Sequence, residues 1–330
     1  MRIVLCYPVE GRHKRQIQQA APNAEIVDAG QERIAEELLD ADIYCGHAKV
    51  PVPWEEVTRR GRLQWIQSSA AGLDHCLVPP VVAAEDIVVS SASGVLAKQV
   101  LDHAFALLTG TLRSLPAFFA ATQKREFIRR PTRDLYGSTA AVIGLGGNGR
   151  LIAKTLRAFD VKVLATDWFP EANRRHADEV LPPEGLDDIL PRADAVILAA
   201  PLTEHTRGII DARRLALMKP EAVLVNVARG PLVVEADLVE ALQSGRLWGA
   251  GLDVTEIEPL PQESPLWEAP RTLITPHVGG QRTSRIDDMT ELFCRNIDRF
   301  FAKKALINGV NKRLGFPAPE AILEQQGREQ

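Results

Sequence analysis

The sequence predicts an α/β protein made of two doubly wound parallel sheets, and three observations carry that prediction. Short runs of β-branched and small residues alternate with helical patterns along most of the chain, as parallel strands covered on both faces require. Near the middle stands Gly144-Leu-Gly-Gly-Asn-Gly149, the G-x-G-x-x-G spacing, directly after a buried-strand pattern at residues 139–143. The next strand pattern closes on an acid, Asp167, at the distance expected of a ribose ligand.

At 330 residues the chain has room for two domains, each with its own core. Hydrophobic residues at 45% and charged residues at 25% exclude a disordered or fibrous chain. The net charge is −4 and Lys and Arg are scattered among Asp and Glu, so neither nucleic acid nor a membrane surface is expected as a partner. A strand pattern begins at once after Met1, without a signal-peptide pattern, and no apolar run has the length of a membrane span; a cytoplasmic location is the expectation. Cys6, Cys45, Cys76 and Cys294 lie far apart and form no C-x-x-C, which fits neither a zinc site nor a disulfide framework. Cys6 and Cys45 fall in strand patterns and read as core, whereas Cys76 falls in a loop and is the candidate for exposure.

From the N-terminus, strand patterns cover residues 2–7, 24–27, 42–45, 63–67 and 86–89, with helical patterns at 14–20, 31–39 and 54–61. Ligands bind beyond the carboxyl ends of such strands, which singles out residues 68–75, where small residues and Gly72 let backbone N–H groups face a ligand; a plain tight turn is the equal alternative. A long helical pattern at 95–111 continues through Leu115-Pro116 into a second at 117–127. It is apolar on nearly every side and needs two partners: its own domain and a second subunit, or two domains of one chain. After a polar stretch at 129–134 comes the glycine motif, with a helix expected at 150–159 and a strand at 161–166.

In that motif Gly144 permits a tight turn, Gly146 lets backbone approach a pyrophosphate, and Gly149 lets the helix pack on the strand. The helix N-terminus adds free N–H groups and a positive dipole end. A turn that holds S-adenosylmethionine or nothing is the competing reading, and the strand, spacing and acid together disfavour it. Asp167 favours NAD, because it repels a 2′-phosphate and Trp168 and Phe169 supply no offsetting charge. Arg174 and Arg175 lie further on and leave NADP as the lesser option.

Downstream, strand patterns recur at 195–200, 222–227, 249–254 and 273–275, with helices near 186–190, 212–218 and 235–244. A last amphipathic helix is expected at 282–301, then residues 306–316, then a polar end at 317–330 expected to be loose. Polar residues follow each of these strands and converge on one carboxyl edge. There Arg229 can grip a carboxylate bidentately and polarise a carbonyl. His277 can give a proton to the carbonyl oxygen or take it from the alcohol, and Glu258 can hydrogen-bond the ring, orient it and stabilise its charged form. Gly147, Asn148, Pro201, Thr206, Val227, Ala228 and Gly279 lie on the same edge and are the further expected cofactor contacts. No metal is expected, since the seven histidines show no paired ligand spacing, and no G-x-S-x-G supports a hydrolase.

With these residues in view the chain resembles the D-isomer-specific 2-hydroxyacid dehydrogenases. The match rests on Gly144-Leu-Gly-Gly-Asn-Gly149, Pro201-Leu-Thr-Glu-His-Thr-Arg-Gly208, Met218-Lys-Pro, Val225-Asn-Val-Ala-Arg-Gly230, Gly251-Leu-Asp-Val254 with Glu258-Pro-Leu-Pro261, and Thr275-Pro-His-Val-Gly279. More loosely it covers Ala71-Gly-Leu-Asp74 and the helix of Asp102-His103. The resemblance implies a Rossmann dinucleotide-binding domain, residues 98–280, inserted into a flavodoxin-like substrate domain of residues 1–97 and 281–330. It implies Arg229, Glu258 and His277 as the catalytic set, with Arg229 and His277 also touching cofactor and substrate. Asp253 would contact the nicotinamide amide, and the Ala71 and Gly72 amides the substrate carboxylate. Hinges near Ala97 and Gly280 and a homodimer built on the long helices after Val95 follow from it as well. Asn148, Gly147, Asp102 and Thr255 depart from the family's usual residues, and neither Asp102 nor Thr255 is expected to touch the chemistry.

The expected activity is reduction of a small 2-oxo acid (glyoxylate, hydroxypyruvate or pyruvate) by NADH, or its reverse. Formate dehydrogenases carry Gln in place of Glu258 and phosphite dehydrogenases Lys in place of Ala71, which disfavours both. No basic cluster near residues 68–75 calls for a phosphorylated substrate. The alternative is an NAD(H)-sensing interaction module like the C-terminal-binding corepressors, which keep a similar catalytic set.

Overall fold

The structure, a computed structural model, describes residues 1–322. The chain divides into two compact units, residues 1–96 with 282–330 and residues 97–281.

The first unit opens with β1 (Arg2–Cys6), α1 (Gly11–Ala20), β2 (Glu25–Asp28), α2 (Gly30–Glu37), β3 (Ile43–Gly46), α3 (Trp54–Arg60), β4 (Trp65–Ser68), α4 (Pro79–Ala83) and β5 (Val88–Ser90). These five strands pair in parallel throughout, in the order β2-β1-β3-β4-β5, the flavodoxin-like winding. Side chains alternate between the two faces of each strand, so Val4, Tyr44 and Ile66 enter one core and Ile3, Leu5, Ile43 and Trp65 the other. Cys76 is fully buried among Leu73, Val81 and Ile66, against the expectation of exposure. Its loop is a short turn folded back over the sheet, and a thiol is apolar enough to fill it.

The second unit begins with α5 (Ala97–Leu112) and α6 (Leu115–Gln123). It continues through β6 (Thr139–Ile143), α7 (Gly147–Arg157), β7 (Lys162–Thr166), α8 (Pro170–Asn173), β8 (Glu179–Leu181), α9 (Leu186–Ile189) and β9 (Ala195–Leu198). It ends with α10 (Ala212–Leu217), β10 (Val223–Asn226), α11 (Glu235–Gln243), β11 (Gly249–Leu252) and β12 (Thr272–Ile274). Seven parallel strands run in the order β12-β11-β10-β9-β6-β7-β8, a Rossmann winding whose order reverses between β6 and β9. Here α5 is a core helix: Ala104, Leu107, Leu108 and Leu112 pack with Val142, Ile197 and Val225 of the strands. Ser114 takes a left-handed φ of 58° and ends it, and α6 then turns Phe119 outward at 60% exposure. Arg125, at φ 59°, ends the second helix short of the expected residue 127.

The chain then returns to the first unit. Helix α12 (Arg285–Phe301) starts later than the expected residue 282 and lays Phe293 and Ile297 into the core beside Trp65. A two-stranded hairpin of β13 (Val310–Asn311) and β14 (Phe316–Pro317) follows. The Ala321 carbonyl accepts from Asn308 N, so the polar end is tied down as far as it is described, and residues 323–330 lie outside the described part. Among the described residues no single helix is long and apolar enough to cross a membrane.

Candidate active site

Strand register places the candidate residues of the second unit in one row. Ile143, Leu198, Asn226, Leu252 and Ile274 stand side by side across β6, β9, β10, β11 and β12, and Thr166 of β7 pairs with Ile143. Gly144, Asp167, Val227, Asp253 and Thr275 are each the next residue along, so their loops leave the sheet at a common edge, where the winding reverses.

At β6, Gly144 lies at φ +94°, and a Cβ on it would come within 2.8 Å of Ala200 backbone. A Cβ on Gly149 would stand 1.9 Å from the Gly144 carbonyl oxygen, so this turn closes only with both glycines. Gly146 is different: nothing lies within 4 Å of its ideal Cβ, and it starts α7 without a side-chain cap. Open space over an uncapped helix N-terminus suits a pyrophosphate. The helix begins at Gly147 and not at the expected Arg150, so Gly147, Asn148 and Gly149 form its first turn despite glycine's poor helix propensity. Tertiary closure of the turn overrides the local preference.

Asp167 is tied into this turn. Its Oδ2 accepts from Leu145 N at 2.7 Å, and its Oδ1 accepts from Phe169 N and Asn173 Nδ2, both at 2.8 Å. Asn173, almost wholly buried, accepts from Arg150 Nε at 3.0 Å, so the guanidinium is drawn toward the end of β7. Sequence reasoning did not single out Asn173; its signal was a polar residue on a short helix just past the acid. In the β9 loop, Thr206 Oγ1 donates to Pro201 O and accepts from Thr203 N, both at 2.7 Å, and His205 lies 5.8 Å, ring to ring, from Trp168.

Arg229 is half-buried in the β10 loop. Asn226 braces that loop at both ends, donating to Arg229 O at 2.9 Å and accepting from Ala228 N at 3.0 Å. Gly230 meets the β11 loop so closely that a Cβ would fall 1.7 Å from Thr255 O. Thr255 N donates to Glu258 Oε1 at 3.2 Å, while its hydroxyl turns to Ile257 O. The other oxygen of Glu258, Oε2, is 2.8 Å from His277 Nδ1. His277 and Glu258 are both well exposed to solvent.

His277 holds a left-handed φ of 54°, where a side chain costs roughly 1–2 kcal/mol. Its N–H is bonded to Asp253 O at 2.8 Å. The Asp253 side chain is buried beneath the same loop, its Oδ1 accepting from Val278 N at 2.9 Å and its Oδ2 from Gly279 N at 2.8 Å. Residues 275–279 therefore form a braced turn that presents the imidazole outward.

Ala71 and Gly72 belong to the first unit, in the turn that follows β4. Ser68 Oγ shapes that turn, donating to Ala70 O at 3.0 Å and accepting from Ala70 N at 3.1 Å. Ala71 is exposed at the carboxyl end of the sheet, and close by the rings of His47 and His75 stack 4.0 Å apart.

Residues 105–279 match the family described as D-isomer specific 2-hydroxyacid dehydrogenase, NAD binding domain. A glyoxylate reductase from Pyrococcus furiosus is 32% identical over 281 residues, which is 82% of this chain and 82% of that one. Among solved structures, a glyoxylate reductase from Paecilomyes thermophila superimposes with a TM-score of 0.81 at 26% identity, over 95% of this chain and 99% of that one. An NADPH-dependent glyoxylate/hydroxypyruvate reductase from Sinorhizobium meliloti, solved with NADP and sulfate, gives 0.79 at 27% identity over 96% and 99%. With a glycine turn at the switch point of one sheet and these likenesses along nearly its whole length, the chain belongs to the D-isomer specific 2-hydroxyacid dehydrogenase family of oxidoreductases.

Proposed function

We propose that the chain is an NAD-dependent D-2-hydroxyacid dehydrogenase acting on a small 2-oxo acid of the glyoxylate, hydroxypyruvate or pyruvate kind. The observation that carries this reading is the 2.8 Å bond between His277 Nδ1 and Glu258 Oε2, one loop away from Arg229. The glyoxylate reductases among the relatives support the substrate class.

A nicotinamide dinucleotide, when bound, supplies or accepts the hydride. The chain's own residues do the rest. The amides around Gly146, Gly147, Asn148 and Gly149 hold the pyrophosphate, and Asp167 accepts from the ribose hydroxyls and disfavours a 2′-phosphate. Pro201, Thr206, Val227, Ala228, Asp253 and Gly279 border the cofactor along the strand ends. The Arg229 guanidinium takes the substrate carboxylate and polarises the carbonyl. Because His277 Nδ1–H donates to Glu258, its Nε2 is the nitrogen left for substrate: protonated, it donates to the carbonyl oxygen, and neutral, it accepts the alcohol proton. Glu258 holds that tautomer and offsets the charge on the ring. A homodimer through the outward face of α6, where Leu115 and Phe119 are exposed, belongs to the same proposal.

The test is oxidation of NADH, and in parallel NADPH, against a panel of 2-oxo acids. Turnover with NADH is expected. In Arg229→Ala it should fall by at least about 10²-fold while NADH affinity changes by less than about threefold, and His277→Ala should be inactive at every pH. An active Arg229→Ala enzyme overturns the assignment. If NADH binds and no acid turns over, the NAD(H)-sensing module takes the place of the enzyme.

A further inference from the structure

The braced turn that carries His277 has a second support, which the proposed mechanism does not use. His103, on α5, points its Nε2 at the turn from below, 2.7 Å from Thr275 Oγ1 and 3.1 Å from Asp253 Oδ1. Thr275 Oγ1 in turn lies 2.8 Å from Asp253 Oδ1 and donates to it. The hydroxyl proton is thus committed to the carboxylate, and the hydroxyl oxygen is free to accept His103 Nε2–H. Gly279 makes the space: a Cβ there would lie 2.8 Å from Asp253 Oδ2 and 3.5 Å from His103 Cδ2.

We propose that His103 is a positioning residue for His277, acting through Thr275 and Asp253. Only 4% of the Asp253 side chain is exposed, so its charge depends on protein donors in place of water. Those donors are the Thr275 hydroxyl and the Val278 and Gly279 amides, while His103 gives its Nε2–H to Thr275 Oγ1 and so fixes the direction in which that hydroxyl donates. The same carboxylate holds the two backbone amides after, and the Thr275 hydroxyl before, a residue held at φ 54°. That conformation persists only while its surroundings impose it. Since α5 packs in the core of its unit, His103 anchors the turn to a rigid element. Without the His103 imidazole, the Thr275 hydroxyl loses its donor and gains freedom to rotate away from the Asp253 carboxylate, and the outward His277 imidazole loses its fixed aim.

The kinetic part of the test rests on the dehydrogenase reading above; the structural part does not. His103→Ala and His103→Gln are compared with the parent protein using NADH and glyoxylate, together with hydrogen exchange of the amides at residues 277–279. In His103→Ala kcat is expected to fall about 10- to 100-fold, with the glyoxylate KM and the NADH Kd within about threefold of the parent. Protection of the Val278 and Gly279 amides should drop in parallel. Gln carries an N–H donor at similar reach and should restore most of both. Unchanged kcat and protection in His103→Ala, or a His103→Gln protein as impaired as His103→Ala, overturns the proposal. If His103→Ala does not fold, Thr275→Val cuts the same chain of bonds at constant shape, and parental kcat in that variant overturns it equally. If the parent reduces no 2-oxo acid, the dehydrogenase reading fails by itself, and the exchange data still decide whether His103 restrains the turn.

Discussion

Gly230→Ala should disable the site without unfolding the protein. The added Cβ would stand 1.7 Å from the Thr255 carbonyl oxygen and 2.6 Å from Glu256 N, whereas real Cβ atoms keep at least 3.0 Å from such neighbours. One loop or the other must therefore retreat by about 1.3 Å or more, and a misplacement of about 1 Å can cost about 10²-fold in rate. The two loops in question carry the proposed chemistry. Arg229 precedes Gly230 directly, and Thr255 N donates to the Glu258 carboxylate that holds His277. Overpacking of this kind costs about 1–3 kcal/mol of stability, which lowers Tm by about 2–12 °C in a unit of this size. Steady-state NADH oxidation with glyoxylate, run beside a thermal melt, separates the two effects. A loss of about 10²-fold or more in kcat/KM with a cooperative melt is expected. A folded Gly230→Ala protein within about threefold of the parent would refute the claim that loop spacing sets the geometry.

Two further outcomes follow from the same structure. Asp167→Asn keeps an acceptor for Leu145 N but removes the charge, and should shift the NADH to NADPH preference toward NADPH by about tenfold; a parent that already prefers NADPH, as the Sinorhizobium reductase does by name, would show that Arg150 and its neighbours outweigh the acid. The thiols should be inert in the native protein: burial pushes Cys6 up to about 11 and Cys294 up to about 12, and holds Cys45 and Cys76 well above the ordinary thiol range. Since the thiolate is the reactive form and the raised values lie above pH 8, a thiol reagent at that pH should label the protein only after denaturation; rapid labelling of the native protein would contradict the burial of Cys76 in particular.

What could be read from the sequence alone was the alternation of strands and helices, the glycine turn with its acid, and the polar residues that follow each strand. Those signals are local. Side-chain period, glycine spacing and the residue after a strand depend on near neighbours in the chain, and parallel winding then obliges the strand ends to share an edge. Long-range pairings were not legible in that way. No local pattern connects His103 with Thr275, Gly230 with Thr255, or Asp167 with Leu145 and Asn173, because these partners meet only when elements distant in the chain are packed. For the same reason local propensity misplaced the start of α7, where closure of the turn makes helix from glycines, and left Cys76 outside a core that only the folded loop completes. The sequence determined which groups stand at the edge of the second sheet. Only the tertiary structure decided how each is held, since hydrogen bonds and close backbone contacts are set by distances between elements that periodicity does not encode.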